Sequence, residues 1–362
     1  MKEVTVVLFG VGGVGSALLR QLVNGRSSIA TRNHIQFNVV AVTDSRTMRW
    51  QLSGLSDAEL LETVAARQQG LPVDPNYHSE RPSTRVRPSE IELVQQVTDA
   101  GLGPAIFVDV TAAEGMEPAL LLALNLGHSV VLANKKPLAG PWETAVPFYN
   151  HPRLRHESTV GGGQPVIATL RYLLDVNDPI YQIEGQLSGT LGFICTQLDA
   201  GVPLSQAIAE AKARGYTEPD PREDLGGQDV MRKVMILGRM AGWPLEASDI
   251  EVESLYTPDL ANLTVPEFLQ ATSQLDAAMQ QRVAEAHAHN QVLRYVAELE
   301  NGRGTVGLKP IPANSPLANM KYISFRTGHY SDEPLLIGGK GAGVEMTAAG
   351  VLGDMIGLVR EG

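Results

Sequence analysis

At 362 residues the chain exceeds the length at which one hydrophobic core usually stops growing, so two domains are expected. Its 43% hydrophobic and 19% charged residues suit a soluble globular protein, and its 36 glycines and 22 prolines form no periodic tract, which excludes a low-complexity chain. A formal net charge of -11 argues against a nucleic-acid partner, whose phosphates need a basic surface.

Residues 1–8 pass from charge to a short apolar run that is too short for a signal peptide. No run of about 18 apolar residues offers a membrane span. The single cysteine, Cys195, cannot form an internal disulfide, which fits a reducing compartment. A cytoplasmic location is expected.

Residues 4–9 are β-branched and apolar, fit for a strand buried on both faces. Gly10-Val11-Gly12-Gly13-Val14-Gly15 follows at once, and residues 16–23 carry leucines at helical spacing. Strand, glycine turn and helix open a dinucleotide-binding βαβ unit. The glycines let backbone N–H groups meet a pyrophosphate, whose charge faces the positive end of the helix.

Residues 37–42 are the next strand, with Asp44 at its end. Asp44 lies beyond the usual spacing of about 20 residues from the glycines, and residues 27–33 read as an inserted loop that explains the excess. A carboxylate there would accept from a ribose 2′-OH and favour NAD. Arg46 and Arg49 could instead hold a 2′-phosphate, and Asp44 could equally be a turn residue capping local N–H groups. The opposed charges nearly cancel, so use of both NADP and NAD is expected.

Ser89 and Glu92 form a capping box for a helix through Val97. Residues 105–110 and 129–133 are buried strands, with a Leu-rich helical stretch at 119–126 between them. This alternation across residues 1 to about 150 predicts an α/β, Rossmann-type, doubly wound parallel sheet. Thr111 and Lys135 each follow a strand, so they should open at the carboxyl edge, where ligands bind in such sheets.

The pattern changes after His151-Pro152-Arg153. Helices are expected around 204–214, 228–241 and 273–290, and strands at 293–299 and 305–310, joined through Asn301-Gly302. This predicts a second, α+β domain. Its late strands have no obvious sheet of their own to complete, so they are expected to pair across a homodimer.

Two prolines stiffen the loop from Glu218 to Asp224, and Asp224 can start the next helix. Asp229 and Lys233 are four apart on that helix, hence on one face. The residues alone fit an exposed ion pair as readily as a catalytic one. Cys195 falls in an apolar helical run, residues 191–198, without a nearby histidine, and so reads as core rather than as an acylating thiol. His287 and His289 are two apart on a helix and point to different faces, a poor zinc pair.

From end to end the chain resembles homoserine dehydrogenases, most closely the form without a regulatory tail. The resemblance rests on the glycine loop, Ala133-Asn134-Lys135-Lys136, His156-Glu157-Ser158-Thr159-Val160-Gly161-Gly162-Gly163 and Leu187-Ser188-Gly189-Thr190-Leu191. It continues with Gly215-Tyr216-Thr217-Glu218-Pro219-Asp220-Pro221-Arg222 followed by Asp229 and Lys233, the most specific of the motifs. Gly341-Ala342-Gly343 and Thr347-Ala348-Ala349-Gly350-Val351-Leu352-Gly353-Asp354 complete it.

The resemblance implies NAD(P)-dependent interconversion of L-homoserine and L-aspartate 4-semialdehyde, a step toward threonine, methionine and isoleucine. It implies a dinucleotide-binding domain from residues 1–150 with 338–362, and a substrate, catalytic and dimerisation domain at 151–337. Lys233 matches the proton donor and acceptor, Asp229 the carboxylate at the substrate hydroxyl, and Glu218 the partner of the substrate ammonium. Lys135 matches a lysine between cofactor and substrate, which leaves two lysines as proton carriers. Thr190 and Gly215 match substrate and cofactor contacts. Gly10, Gly12, Gly13, Val14, Gly15, Asp44, Arg46, Thr111 and Gly343 complete the cofactor set.

Glu157, Val160, Gly162 and Gln164 match a monovalent-cation site, for sodium. Lack of an appended regulatory region predicts weak or absent inhibition by threonine. Two segments depart from the family pattern, Gly338-Gly339-Lys340 and Met320-Lys321-Tyr322. The alternatives are another dehydrogenase of amino-acid pathways, such as an aspartate semialdehyde dehydrogenase, and a cofactor-binding sensor without catalysis.

Overall fold

The structure, a computed structural model, describes residues 1–74 and 87–362. These form two compact units, Met1–Ile167 with Ala342–Gly362, and Ala168–Gly341.

In the first unit β1 (Lys2–Phe9), β2 (Ile35–Thr43), β3 (Met48–Trp50), β4 (Ile106–Asp109), β5 (Ser129–Leu132) and β6 (Leu154–Arg155) make one sheet. Its order is β3-β2-β1-β4-β5-β6. All neighbours run parallel except β3, which folds back antiparallel on β2. The central strands are almost wholly apolar and buried because helices cover both faces. These include α1 (Gly13–Asn33), α2 (Asp57–Gln68), α3 (Glu90–Asp99) and α4 (Glu117–Asn125). Capping boxes Ser56/Glu59 and Ser89/Glu92 start α2 and α3.

One core joins Val6 and Leu8 of β1 to Leu18, Leu19 and Leu22 of α1 and to Val351, Met355 and Leu358 of the C-terminal helix Val344–Glu361. The expected loop at residues 27–33 is absent, since α1 continues through it to Asn33. Tertiary contacts hold that last stretch. Arg26 donates to Asp57 at 2.5 Å and to the Phe37 carbonyl at 3.1 Å, and Ile29 is buried.

The second unit holds β7 (Ile180–Gly185), β8 (Ile250–Val252), β9 (Gln291–Glu300), β10 (Arg303–Pro312), β11 (Tyr322–Thr327) and β12 (Leu335–Gly338). Their order is β12-β11-β7-β9-β10-β8. β9 and β10 form a hairpin around Asn301 (φ 51°) and Gly302 (φ 76°), the left-handed pair that a two-residue turn needs. The expectation that these strands lack a sheet is overturned: β9 pairs with β7, β7 with β11, and β10 with β8. Pairing across a homodimer is not needed to satisfy them.

Helices α5 (Gly189–Asp199), α7 (Gln228–Met240) and α8 (Asp276–Ala288) pack on β9, and α6 (Leu204–Ala213) packs on α5. Ile194, Ile236 and Leu237 are buried with Ile183 and Leu299 of the sheet. Among the described residues no helix is long and apolar enough to cross a membrane.

Candidate active site

The glycine loop joins β1 to α1 at the carboxyl edge of the first sheet. A side chain on Gly15 would place its Cβ 2.1 Å from the Gly10 carbonyl oxygen, so helix and strand can meet this closely only at a glycine. Gly12 caps α1 without a side-chain hydrogen bond, and no acidic residue stands in the first turn. The helix therefore presents N–H groups and its positive end, the chemistry that binds a pyrophosphate. Thr111 lies against Gly10, and Val344, next to Gly343, lies against Gly13. Val14 is half-buried beside this core.

The loops after β4 and β5 are tied together by Asp109. Its Oδ1 accepts from the Thr111 N–H at 2.9 Å and hydroxyl at 2.7 Å, and its Oδ2 accepts from Asn134 Nδ2 at 3.0 Å. Burial pushes the Asp109 carboxyl up, against the pull of these donors. Lys135 sits half-buried at the start of the short helix Lys136–Ala139 on the same edge.

Asp44 caps its own turn, one of the two uses that the sequence leaves open. Its Oδ1 accepts from the N–H groups of Arg46 (2.8 Å) and Thr47 (2.7 Å), and its Oδ2 from the Val73 N–H (3.0 Å). Arg67 approaches Oδ2 at 3.5 Å. Burial raises the Asp44 carboxyl, but these hydrogen bonds outweigh it and hold the group below its ordinary value. Arg49 is also committed, paired with Glu62 at 2.8 Å and Glu59 at 3.7 Å. Arg46 remains exposed at the turn.

Glu157, Val160, Gly162 and Gln164 lie in a turn through Gly161, Gly162 and Gly163, all at positive φ. Glu157 Oε1 accepts from the Ile167 N–H at 2.7 Å, and Asp354 of the C-terminal helix accepts from the Glu157 N–H at 2.7 Å. The donors on offer are oxygens, carboxylate and carbonyl, which suit a hard cation rather than a transition metal.

In the second unit Lys233 Nζ is 2.7 Å from Asp229 and donates to the Leu187 carbonyl at 2.8 Å. Only 17% of the Lys233 side chain is exposed, so this is not the open surface pair that spacing alone allowed. Leu187 leads into α5, whose N-cap Ser188 accepts from the Leu191 N–H at 3.1 Å. Thr190, in the same first turn, donates to the Tyr216 carbonyl at 2.5 Å. Gly215 and Glu218 lie on the exposed loop that follows α6. That loop is held by Lys212 to the Pro219 carbonyl (2.7 Å) and by an Arg222–Asp220 pair at 2.6 Å.

The helix carrying Asp229 and Lys233 starts at Gln228, not Asp224, which belongs to a separate turn, Arg222–Leu225. Asp224 Oδ2 accepts from the Glu218 N–H at 2.8 Å and the carboxylate lies beside Thr190. Burial pushes its carboxyl up, against those hydrogen bonds. Sequence spacing gave no sign that Asp224 fastens the loop to α5. Cys195 is fully buried in α5, and burial pushes its thiol up to about 12.

Residues 165–356 match the homoserine dehydrogenase family model, and residues 10–146 match the NAD binding domain of homoserine dehydrogenase. A bifunctional aspartokinase/homoserine dehydrogenase from Haemophilus influenzae is 36% identical over 369 residues, covering 98% of this chain and 43% of its own. The chain thus spans less than half the length of that relative. A homoserine dehydrogenase from Schizosaccharomyces pombe is 33% identical over 381 residues, covering 99% of this chain and 96% of its own. A solved hyperthermophilic archaeal homoserine dehydrogenase in complex with NADPH has a TM-score of 0.72 at 26% identity, over 100% of this chain and 99% of that one. With both family models matched in order along the glycine-loop unit and the unit of Asp229 and Lys233, the chain belongs to the homoserine dehydrogenase family.

Proposed function

We propose that this protein interconverts L-homoserine and L-aspartate 4-semialdehyde with a nicotinamide dinucleotide, in the path to threonine, methionine and isoleucine. The observation that carries the reading is the mostly buried Lys233, held by Asp229 at 2.7 Å and the Leu187 carbonyl at 2.8 Å in a chain of this family. When bound, the dinucleotide exchanges a hydride with the substrate carbon that bears oxygen.

The chain's own residues move the proton. Lys233 takes it from the homoserine hydroxyl, or donates it to the developing alkoxide in the other direction, while Asp229 fixes the direction of the ammonium. Glu218 holds the substrate ammonium, and Thr190 orients the substrate at the start of α5. The first unit binds the dinucleotide through the glycine loop, Thr111 and Gly343, with Lys135 at the same edge. Since Asp44 is engaged in its own turn and Arg49 in ion pairs, Arg46 is left to meet a 2′-phosphate, which favours NADP.

The buried thiol of Cys195, pushed up to about 12, speaks against the acyl-enzyme route of a semialdehyde dehydrogenase. Sodium at residues 157–164 and a homodimer rest on the resemblance, and a cytoplasmic location rests on the single cysteine, Cys195. Exchange of sodium for choline, sedimentation and cell fractionation test them in turn.

The decisive experiment follows NAD(P)H absorbance with homoserine. Lys233→Ala should lose about 10²–10⁴-fold in kcat, the range of general acid–base catalysis, with cofactor affinity near the parental value. Near-parental turnover would transfer the proton role to Lys135.

A further inference from the structure

Two lysines from different elements end near the start of α5, one at Leu187 before its N-cap and one beside Gly192. Lys233 of α7 reaches the Leu187 carbonyl. Lys321, just before β11, brings its Cε to 3.6 Å from the position a Cβ on Gly192 would take. Lys340 follows β12, which pairs with β11, and the Gly339 N–H donates to the Lys321 carbonyl at 3.0 Å.

Asp229 is paired with Lys233. Among the described residues no carboxylate lies within ion-pair distance of Lys321, and the charges acting on it are those of Lys233 and Lys340. Burial, then these two like charges, push the Lys321 ammonium below the usual lysine value. A half-buried cation facing cations is unfavourable until an anion joins it.

We propose that Lys321, with Lys340 behind it, receives the α-carboxylate of the amino-acid substrate and so determines specificity for it. This rests on the reading above, which places Lys233 and Asp229 at the hydroxyl and Glu218 at the ammonium. The carboxylate is then the one charge of homoserine without a partner, and Lys321 is a half-buried cation with no carboxylate in ion-pair distance among the described residues. Lys321 lies in one of the two segments that depart from the family pattern.

The test compares the full-length parent with Lys321→Gln and Lys321→Arg on two substrates, homoserine and 3-aminopropan-1-ol, which lacks the carboxylate. The Gln variant should raise the homoserine KM about tenfold or more, as loss of a charge-assisted bond does, and leave kcat within about threefold. Arg should restore most of the affinity. With the amino alcohol, parent and variants should have equal kcat/KM, a result that a general packing defect would not give.

An unchanged homoserine KM, or a loss confined to the Kd of the dinucleotide, overturns the proposal. If the Gln variant does not fold, the parent alone decides. 4-Hydroxybutanoate, which keeps the carboxylate, should compete with homoserine at least tenfold better than 1-propanol does, and equal competition overturns it. A parent inactive on homoserine removes the activity itself, a result distinct from any change at Lys321.

Discussion

The Asp44 carboxylate shows how one side chain's partners decide its use. Both of its oxygens accept backbone N–H groups, from Arg46 and Thr47 on one side and Val73 on the other. Its folded pKa is depressed, so its contribution to stability is present above the unfolded value and is lost as pH falls through the folded one. Asp44→Asn should therefore cost about 1–3 kcal/mol at pH 7, and the difference should fade as unfolding is measured at pH values below the ordinary carboxylate range. The ratio of kcat/KM for NADP and NAD should change by less than threefold in this variant, whereas a ribose contact would shift it about tenfold. The place of Asp44 after the second strand was legible in the sequence. Its capping of the local turn was one of two uses left open there, but its hold on Val73, 29 residues away, was not legible, because no local pattern announces that contact. The same holds for Lys321, whose neighbours Lys233 and Lys340 are joined to it only by the fold.

Helix α7 depends on one backbone position for its direction. Gly227, its N-cap, has φ 69°, and a Cβ there would lie 2.1 Å from the Tyr295 hydroxyl and 2.9 Å from Val252. The Tyr295 hydroxyl itself donates to the Glu253 carbonyl at 2.6 Å, so it cannot step aside without loss. Gly227→Ala should cost roughly 2–4 kcal/mol from left-handed strain and overpacking together. Thermal unfolding would show this, and turnover should fall as Lys233 shifts away from Leu187. Parental stability would mean that the helix start is soft. Long periodic elements such as α7 and the β9–β10 hairpin could be read from the sequence because pattern and turn chemistry agree. β7, β8 and β12 could not, since three to six residues carry too little periodicity. Missing β7 led directly to the mistaken view that the β9–β10 hairpin had no sheet to complete within the chain. The end of α1 was also hidden, because its hold on Asp57 and Phe37 is tertiary.

At the scale of the molecule, the first unit is made from both ends of the chain. Lys2 donates to the Val359 carbonyl, Arg20 pairs with Glu345 at 2.7 Å, and Met355 is fully buried in the same core as β1. Met355→Ala should cost about 2–5 kcal/mol and weaken dinucleotide binding, although it changes a residue just seven positions before Gly362. Equal stability of variant and parent would show that this core does not need the C-terminal helix. The glycine loop made the start of this unit legible, but nothing in the local pattern tells that the helix from Val344 belongs with it. During synthesis the arrangement imposes an order. The second unit, Ala168–Gly341, is one unbroken stretch and can fold as soon as it leaves the ribosome. The first must wait for the helix that completes it, made roughly 10–40 s after Ile167 at about 5–20 residues per second, with the apolar side of α1 open to chaperones throughout.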